Sequence, residues 1–239
     1  STTEISNIQT AVKEKFPEII DNFEKAIKYY DKNLIDLKIS ELHILIAIFY
    51  NELEQKRKSF DSLQKAIQIG DLFMDEKSSL AHYLRAIWSE DINQSKKDLD
   101  IAIELDGENI IYLYERGRIH SRLKDFSNSI IDFEKILKSI YWDKESLYYK
   151  GNDIQNYSSL YNFNEDYALG DMCYNLYIEL AEISKKTKMF DNSLKYYLLA
   201  NKLDESPHNY IKISEIYEKL QKFKDVKLNL NKAKEMIIE

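Results

Sequence analysis

The 239-residue chain has five glycines, two prolines and one cysteine, with 44% hydrophobic and 31% charged residues, which is the composition of a globular protein. So few chain breakers argue against a β-sandwich or a Rossmann-type fold and favour helices joined by short polar turns. The single cysteine, Cys173, excludes an intramolecular disulfide and a cysteine-based metal cluster. The net charge of −7 argues against general nucleic-acid binding.

The charge is distributed unevenly along the chain. Residues 184–234 hold twelve lysines against six acidic residues, whereas the preceding part of the chain is acidic. Because these lysines are interleaved with acidic residues at helical spacing, a solvated helix face is the favoured interpretation. A surface for nucleic acid or a phosphate-rich ligand in 184–234 is the less favoured alternative.

No stretch of the sequence predicts a membrane span. The most apolar run, LHILIAIFY at Leu42–Tyr50, is far too short to cross a bilayer and is typical of a buried helix. The N-terminal STTEIS shows no basic region followed by an apolar one, so no signal peptide is visible, although a processed N-terminus would look the same. We expect a cytoplasmic protein, with secretion after removal of a signal as the alternative.

The first 74 residues show helical periodicity in a degenerate form. Residues 2–29 predict two helices, one lined by Ile5, Ile8 and Val12, the other by Phe16, Ile19, Phe23 and Ala26. A long helix is predicted over 33–55, with an apolar face made of Leu34, Leu37, Leu42, Leu45, Phe49 and Leu53. Its partner is predicted at 60–70, in a register that the pattern determines only to within four residues.

Beyond residue 75 the periodicity is better preserved. The spacing predicts helix pairs at 75–104, 110–138, 144–170, 171–203 and 207–237. Polar residues weaken the pattern in 144–170, and its YNFNEDYALG segment is predicted to be partly loop.

Like residues recur at a fixed interval. Leu113 and Leu147, Tyr114 and Tyr148, and Gly117 and Gly151 are each 34 apart, and toward the C-terminus the interval is 33, as for Tyr177 and Tyr210 or Ala200 and Ala233. This self-similarity indicates a repeat protein.

The repeated residues resemble the tetratricopeptide repeat, a helix–turn–helix unit of 34 residues. The matching residues are Leu113, Gly117, Phe133 and Ile136 in the central unit; Tyr177, Leu180, Ala181, Tyr197, Ala200 and Pro207 in the next-to-last; and Tyr210, Ile213, Ser214, Tyr217 and Ala233 in the last. The turns Lys124-Asp125-Phe126, Lys188-Met189-Phe190 and Lys222-Phe223 recur with them.

The resemblance implies an all-α fold, a right-handed α-solenoid of antiparallel helix pairs with six to seven units. A small residue in the middle of the first helix is expected to let the second helix cross closely, and an aromatic residue to fill the groove between units. We expect one repeat domain over 1–239, with degenerate units in 1–74 and better-preserved units in 75–239.

The resemblance also implies a function, because first helices of this family line a concave groove that binds extended peptides. The positions that it assigns to peptide binding are Tyr114, Arg118, Ser121, Arg122, Tyr148, Asn152, Gln155, Asn156, Glu182 and Lys185, continued by Lys186, Ile211, Glu215 and Lys219. We therefore expect a non-enzymatic scaffold that binds a peptide or partner domain. A regulatory segment of a larger protein, with its groove filled internally, is the alternative.

Arg118 and Arg122 are four residues apart and hence on one helix face. Guanidinium groups suit bidentate capture of carboxylates, and Tyr114 adds a rigid apolar contact, so an acidic peptide is the expected ligand. The alternative is that both arginines pair with Glu115 or a nearby aspartate while Tyr114 packs.

No pattern indicates an enzyme, a metal or a cofactor. His43, His82, His120 and His208 lie in different units, and none has another histidine or a cysteine at ligand spacing. There is no phosphate-binding glycine loop and no nucleophile elbow. Acid pairs such as Asp98/Asp100 are assigned to solvated helix faces.

Overall fold

A computed structural model of the chain describes residues 10–30, 37–73, 78–142 and 165–238. Helices and turns account for these residues, and no strand occurs among them. None of the helices within these ranges is both long enough and apolar enough to cross a bilayer.

The helices of the described residues are numbered in chain order. They are α1 (Phe16–Tyr30), α2 (Leu37–Glu52), α3 (Lys56–Phe73), α4 (Ser78–Trp88), α5 (Ile92–Leu105), α6 (Ile110–Arg122), α7 (Phe126–Trp142), α8 (Glu165–Lys186), α9 (Phe190–Leu203), α10 (Pro207–Lys219) and α11 (Phe223–Ile238).

The chain divides into two compact units, residues 1–119 and 120–239. In the first unit, α2 packs on α3 and α4 on α5, and α3 contacts α4. In the second unit, α8 packs on α9 and α10 on α11, and α9 contacts α10. Because three-residue loops reverse the chain between paired helices, each pair is antiparallel. The predicted all-α solenoid of helix pairs is thus confirmed.

Four of the loops inside helix pairs share one conformation. Their middle residues, Glu54, Lys124, Lys188 and Gln221, have φ between 58° and 62°. In the loop after α8, the amide of Lys188 donates to the carbonyl of Lys185 and that of Met189 to the carbonyl of Ser184. The same two bonds recur in the other three loops and satisfy carbonyls that the helix end leaves unpaired. The predicted turns are therefore present, with Gln221 rather than Lys222 in the left-handed position.

A buried hydrogen bond joins the two helices of three pairs. In each, a serine hydroxyl of the second helix donates to the main-chain carbonyl of an alanine in the first. The bonds are Ser59 Oγ to Ala47 O (2.9 Å), Ser95 Oγ to Ala86 O (2.7 Å) and Ser193 Oγ to Ala181 O (2.9 Å). All six residues are buried. The small first-helix residue thus permits the close crossing that the repeat pattern predicts at Ala181.

Aromatic residues fill the space between successive pairs. Tyr197 of α9 is buried in one cluster with Ala181 of α8 and with Ile213 and Ile216 of α10. In the first unit, Tyr112 of α6 packs with Ala86 and Leu99 of the preceding pair. The predicted role of the aromatic position is confirmed at Tyr197.

The buried face of α2 differs from the predicted one. Leu42, Leu45 and Phe49 are half-buried, and the residues that α2 buries fully are Ile39, Ser40, Ile44, Ile46 and Ala47. The run is apolar on every side, so its periodicity does not identify the face that is buried most.

The partner of α2, predicted at 60–70 to within four residues, begins at Lys56 and ends at Phe73, which is within that range. One predicted boundary was wrong. Residues 165–170, predicted to be partly loop and to end a unit, are the first turns of α8. Gly170 lies inside this helix. An isolated glycine destabilises a helix by about 1 kcal/mol relative to alanine, but it does not end the helix. Residues 144–164 of that predicted unit lie outside the described residues.

The contact between α3 and α4 requires a glycine. A β-carbon on the buried Gly70 would lie 2.4 Å from Cβ of the buried Ser78. We predict that Gly70→Ala lowers the free energy of unfolding by about 1–2 kcal/mol in urea denaturation, because the clash exceeds the gain in helix propensity.

Gly107→Ala is the matched control for this prediction. A β-carbon there would lie 3.4 Å from the carbonyl of Ile103, and Gly107 does not have positive φ. We expect its stability to remain within about 0.5 kcal/mol of the wild type. Equal stability of the two variants would contradict the close approach of α3 and α4.

Candidate functional site

Four predicted peptide-binding residues lie along one face of α6. Tyr114, Arg118, Ser121 and Arg122 are spaced by four, three and one residues, which places them on adjacent turns. Arg118 and Arg122 are exposed, while Tyr114 and Ser121 are half-buried. The guanidinium carbon of Arg118 lies 5.8 Å from the centre of the Tyr114 ring, within range of a cation–π interaction.

The three arginines of α6 have different partners. Arg118 Nη1 lies 3.3 Å from both carboxylate oxygens of Glu115, in a pair on the helix surface. Arg116 Nη1 pairs with Asp100 Oδ1 at 3.0 Å. Arg122 is exposed at the end of the helix. Pairing with Glu115 is therefore present for Arg118, but such exposed pairs contribute little stability, about 0–1 kcal/mol.

Glu182 and Lys185 of α8, also predicted to bind peptide, pair with the next first helix. Glu182 Oε1 lies 3.4 Å from Lys212 Nζ of α10, and Lys185 Nζ lies 2.6 Å from Glu215 Oε2. The order of charges on α8 is thus the reverse of that on α10, so the two helices are held by two complementary ion pairs. Glu182 Oε1 also accepts a hydrogen bond from Tyr197 Oη at 2.5 Å.

This network sets the protonation states of its members. Burial raises the pKa of Glu182, but the bond from Tyr197 and the charges of Lys212 and Lys185 outweigh it and hold the pKa below its usual value. Burial and the neighbouring Glu182 carboxylate raise the pKa of Tyr197. At neutral pH Tyr197 is therefore the donor and Glu182 the ionised acceptor.

The remaining predicted positions divide into two groups. Tyr148, Asn152, Gln155 and Asn156 lie outside the described residues and stay predictions. Lys186, Ile211 and Lys219 are exposed on α8 and α10.

A second polar cluster, which the sequence did not predict, lies between α4 and α5. Arg85 donates to Asp98 through Nε at 2.9 Å and Nη2 at 2.6 Å. His82 is buried, with Nδ1 3.4 Å from Asp98 Oδ1 and Nε2 3.3 Å from Asp71 Oδ1. Asp98 is completely buried, which corrects its assignment to a solvated face. Burial raises the pKa of Asp98, but the bonds from His82, Arg85 and Gln94 lower it by more, so the net pKa is depressed.

The geometry of this cluster is that of a structural network. Each ring nitrogen of His82 faces a carboxylate, so neither is directed at a nucleophile whose proton it could accept. The spacing Ser95-x-x-Asp98 recurs as Ser129-x-x-Asp132, and all four side chains are buried. Among the described residues, no group of three or more histidine, cysteine, aspartate or glutamate side chains is arranged so that it could hold a metal ion.

Stacked antiparallel helix pairs with small residues at the crossings define the class of helical repeat proteins. The tetratricopeptide repeat family model matches residues 111–141 and 174–207. These two stretches are tetratricopeptide repeats, and proteins built from such repeats generally serve as non-enzymatic scaffolds for protein–protein interaction.

Solved structures share the fold at low sequence identity. MamA is 16% identical with a TM-score of 0.56, over 82% of this chain and 92% of that one. BtubC from P. vanneervenii is 11% identical with a TM-score of 0.62, over 96% and 91%. YrrB, described as a TPR protein with an unusual peptide-binding site, is 13% identical with a TM-score of 0.62, over 88% and 90%. No curated protein sequence matches this chain.

Asp98→Asn tests the buried cluster between α4 and α5. We predict that this substitution lowers the free energy of unfolding, measured by urea denaturation at pH 7, by about 3 kcal/mol, because Arg85 loses the charge of its buried partner. The wild type retains this contribution above the unfolded pKa of aspartate, about 3.9, and loses it as the pH falls through the depressed pKa of Asp98. The difference between variant and wild type should therefore shrink in acid.

Asp100→Asn is the control, since Asp100 forms only partly exposed pairs with Lys96 and Arg116. We expect Asp100→Asn to lower the free energy of unfolding by about 1 kcal/mol or less. A stability difference for Asp98→Asn that stays constant down to pH 3 would show that the ionised carboxylate is not what stabilises the fold.

Proposed function

We propose that this protein is a non-enzymatic scaffold that captures an acidic peptide segment of a partner protein on α6. The observation that carries the proposal is the pair of exposed guanidinium groups, Arg118 and Arg122, on one face of this helix beside the Tyr114 ring. The helix lies in a stretch that the repeat family model matches.

The surroundings of Arg118 favour exchange of its carboxylate partner. Its contact with Glu115 joins residues three apart on a solvated helix surface, so it contributes little stability. A peptide carboxylate can replace Glu115 or bridge to Arg122. The ring of Tyr114 meanwhile orients the guanidinium and offers an apolar surface to the peptide.

We assign Glu182 and Lys185 a supporting role in this function. Their charges are matched by Lys212 and Glu215 of α10, and Lys185 Nζ lies 2.6 Å from Glu215 Oε2, whereas Arg118 and Glu115 are 3.3 Å apart. A ligand that broke these pairs would separate charges that join two helices, whereas one that displaced Glu115 would change only the surface of α6. The network therefore holds α8 and α10 in register, and we place the main recognition of acidic groups on α6.

Two further observations agree with this proposal. The ring nitrogens of His82 are both directed at aspartates, which favours a structural role over proton transfer. One similar structure, that of YrrB, is described as having a peptide-binding site, although its identity to this chain is 13%.

The test compares the wild type with Arg118→Glu/Arg122→Glu. Partners captured from a cell lysate by the immobilised wild type are identified by mass spectrometry, and their acidic segments are synthesised as labelled peptides. We predict that the double variant loses at least about tenfold in affinity for these peptides, because two attractive charges become repulsive. Its helicity and melting temperature should remain those of the wild type, since both side chains are exposed.

Arg57→Glu/Lys65→Glu is the matched control, because it makes the same change in net charge on exposed residues of α3. We expect it to bind with nearly wild-type affinity. Undiminished peptide binding by the α6 variant would contradict the proposed site. An equal loss of affinity in both variants would show that net charge, and not this site, determines binding.

A further inference from the structure

Helix α11 carries an exposed apolar stripe. Phe223, Leu230 and Ile237 are seven residues apart, so they lie on one face, and their side chains are 67%, 45% and 68% exposed. The adjacent face, which includes Asn229 and Ala233, is already buried against α10. The stripe therefore lies beside the α10–α11 contact and is not part of it.

The preceding helix pair shows how the equivalent surface is covered. The 33-residue interval relates Phe223 to Phe190 and Leu230 to Tyr197 of α9. Tyr197 is only 1% exposed, and both α9 residues pack in the cluster formed with Ile213 and Ile216 of α10. The same surface is thus buried by a following helix in one pair and exposed in the next.

Charge distinguishes the stripe on α11 from its counterpart on α9. Lys227 and Lys234 are exposed and each lies four residues after a stripe residue, so they line the edge that faces away from α10. Leu194 and Asn201 occupy the equivalent positions of α9. An additional exposed lysine, Lys224, extends the basic edge.

We infer that the α11 stripe is a second interaction surface, which binds an amphipathic α-helix of a partner protein with acidic residues along one edge of its apolar face. The helix occupies the place that α10 takes against α9. Its apolar residues at i, i+3 and i+7 pack on Phe223, Leu230 and Ile237, and its acidic edge pairs with Lys227 and Lys234.

Two other occupants fit the surface less well. A second copy that docks α11 on α11 places the lysines of both copies together, where like charges repel. An anionic membrane favours a broad apolar face in contact with lipid, whereas the side of α11 next to the stripe is occupied by α10.

The test uses the 239-residue chain and labelled helical peptides of about 20 residues, long enough to populate a helix. In both peptides leucines recur at i, i+3 and i+7 and form one apolar face. The first peptide has glutamates along one edge of this face, and the second has lysines at the same positions. We expect the glutamate peptide to bind in fluorescence anisotropy at least about tenfold more tightly than the lysine peptide. Lys227→Glu/Lys234→Glu should reverse this preference.

Leu230→Asn/Ile237→Asn should weaken binding of the glutamate peptide by about tenfold or more without changing net charge. The matched control is Leu228→Asn, because Leu228 is 55% exposed on a different face of the same helix and its loss should leave the affinity within about twofold. Because both α6 arginines are intact in Leu230→Asn/Ile237→Asn, a loss of binding in this variant separates the stripe from the peptide site on α6.

Four results would overturn the inference. They are no binding of the glutamate peptide to the wild type, equal loss in the Leu228→Asn control, self-association that the stripe variant abolishes, and binding confined to phosphatidylserine vesicles.

Discussion

The fold depends on a close crossing of paired helices, which a serine hydroxyl and a small residue make possible. In three pairs the hydroxyl donates to a carbonyl of Ala47, Ala86 or Ala181 that lies within a helix. The hydroxyl oxygen lies 2.7–2.9 Å from the carbonyl oxygen, so the two helices must be close, and a side chain larger than a methyl group at the crossing would hold them apart. Helix packing and hydrogen bonding therefore select the same geometry in each of these pairs.

Because this crossing and the apolar clusters use the inner faces, the outer faces of the helices are left for charged residues with other roles. On α8 and α10 these residues form two complementary ion pairs, Glu182 with Lys212 and Lys185 with Glu215, that connect successive first helices. On α6 the corresponding face presents Arg118 and Arg122 to solvent. The charged residues of α8 and α10 thus connect two helices, whereas Arg118 pairs with Glu115 of its own helix.

The repeat period predicted the features that every unit needs. It predicted the turns at Lys124 and Lys188, the crossing at Ala181 and the aromatic contact of Tyr197, because each recurs at a fixed interval. It did not predict the face of α2, which is apolar on all sides, nor the burial of Asp98, whose partner Arg85 lies on another helix. The pairing of Glu182 with Lys212 also depends on the stacking of two units. The spacing of twelve between Ala47 and Ser59, shared by Ala181 and Ser193, is a signal that would have located the crossing in α2. The site residues on α6 remain predictions that binding experiments must decide.

The most direct test of the central interaction compares serines of two kinds within one helix. Ser59 bonds across to Ala47, whereas Ser62 bonds to the carbonyl of Lys58 in its own helix. Urea denaturation of Ser59→Ala should show a loss of about 1 kcal/mol, and Ser95→Ala and Ser193→Ala should behave alike. Ser62→Ala should be neutral or slightly stabilising, because its local bond competes with the helix. Equal effects at Ser59 and Ser62 would contradict the claim that the hydroxyl at the crossing holds the helix pair together.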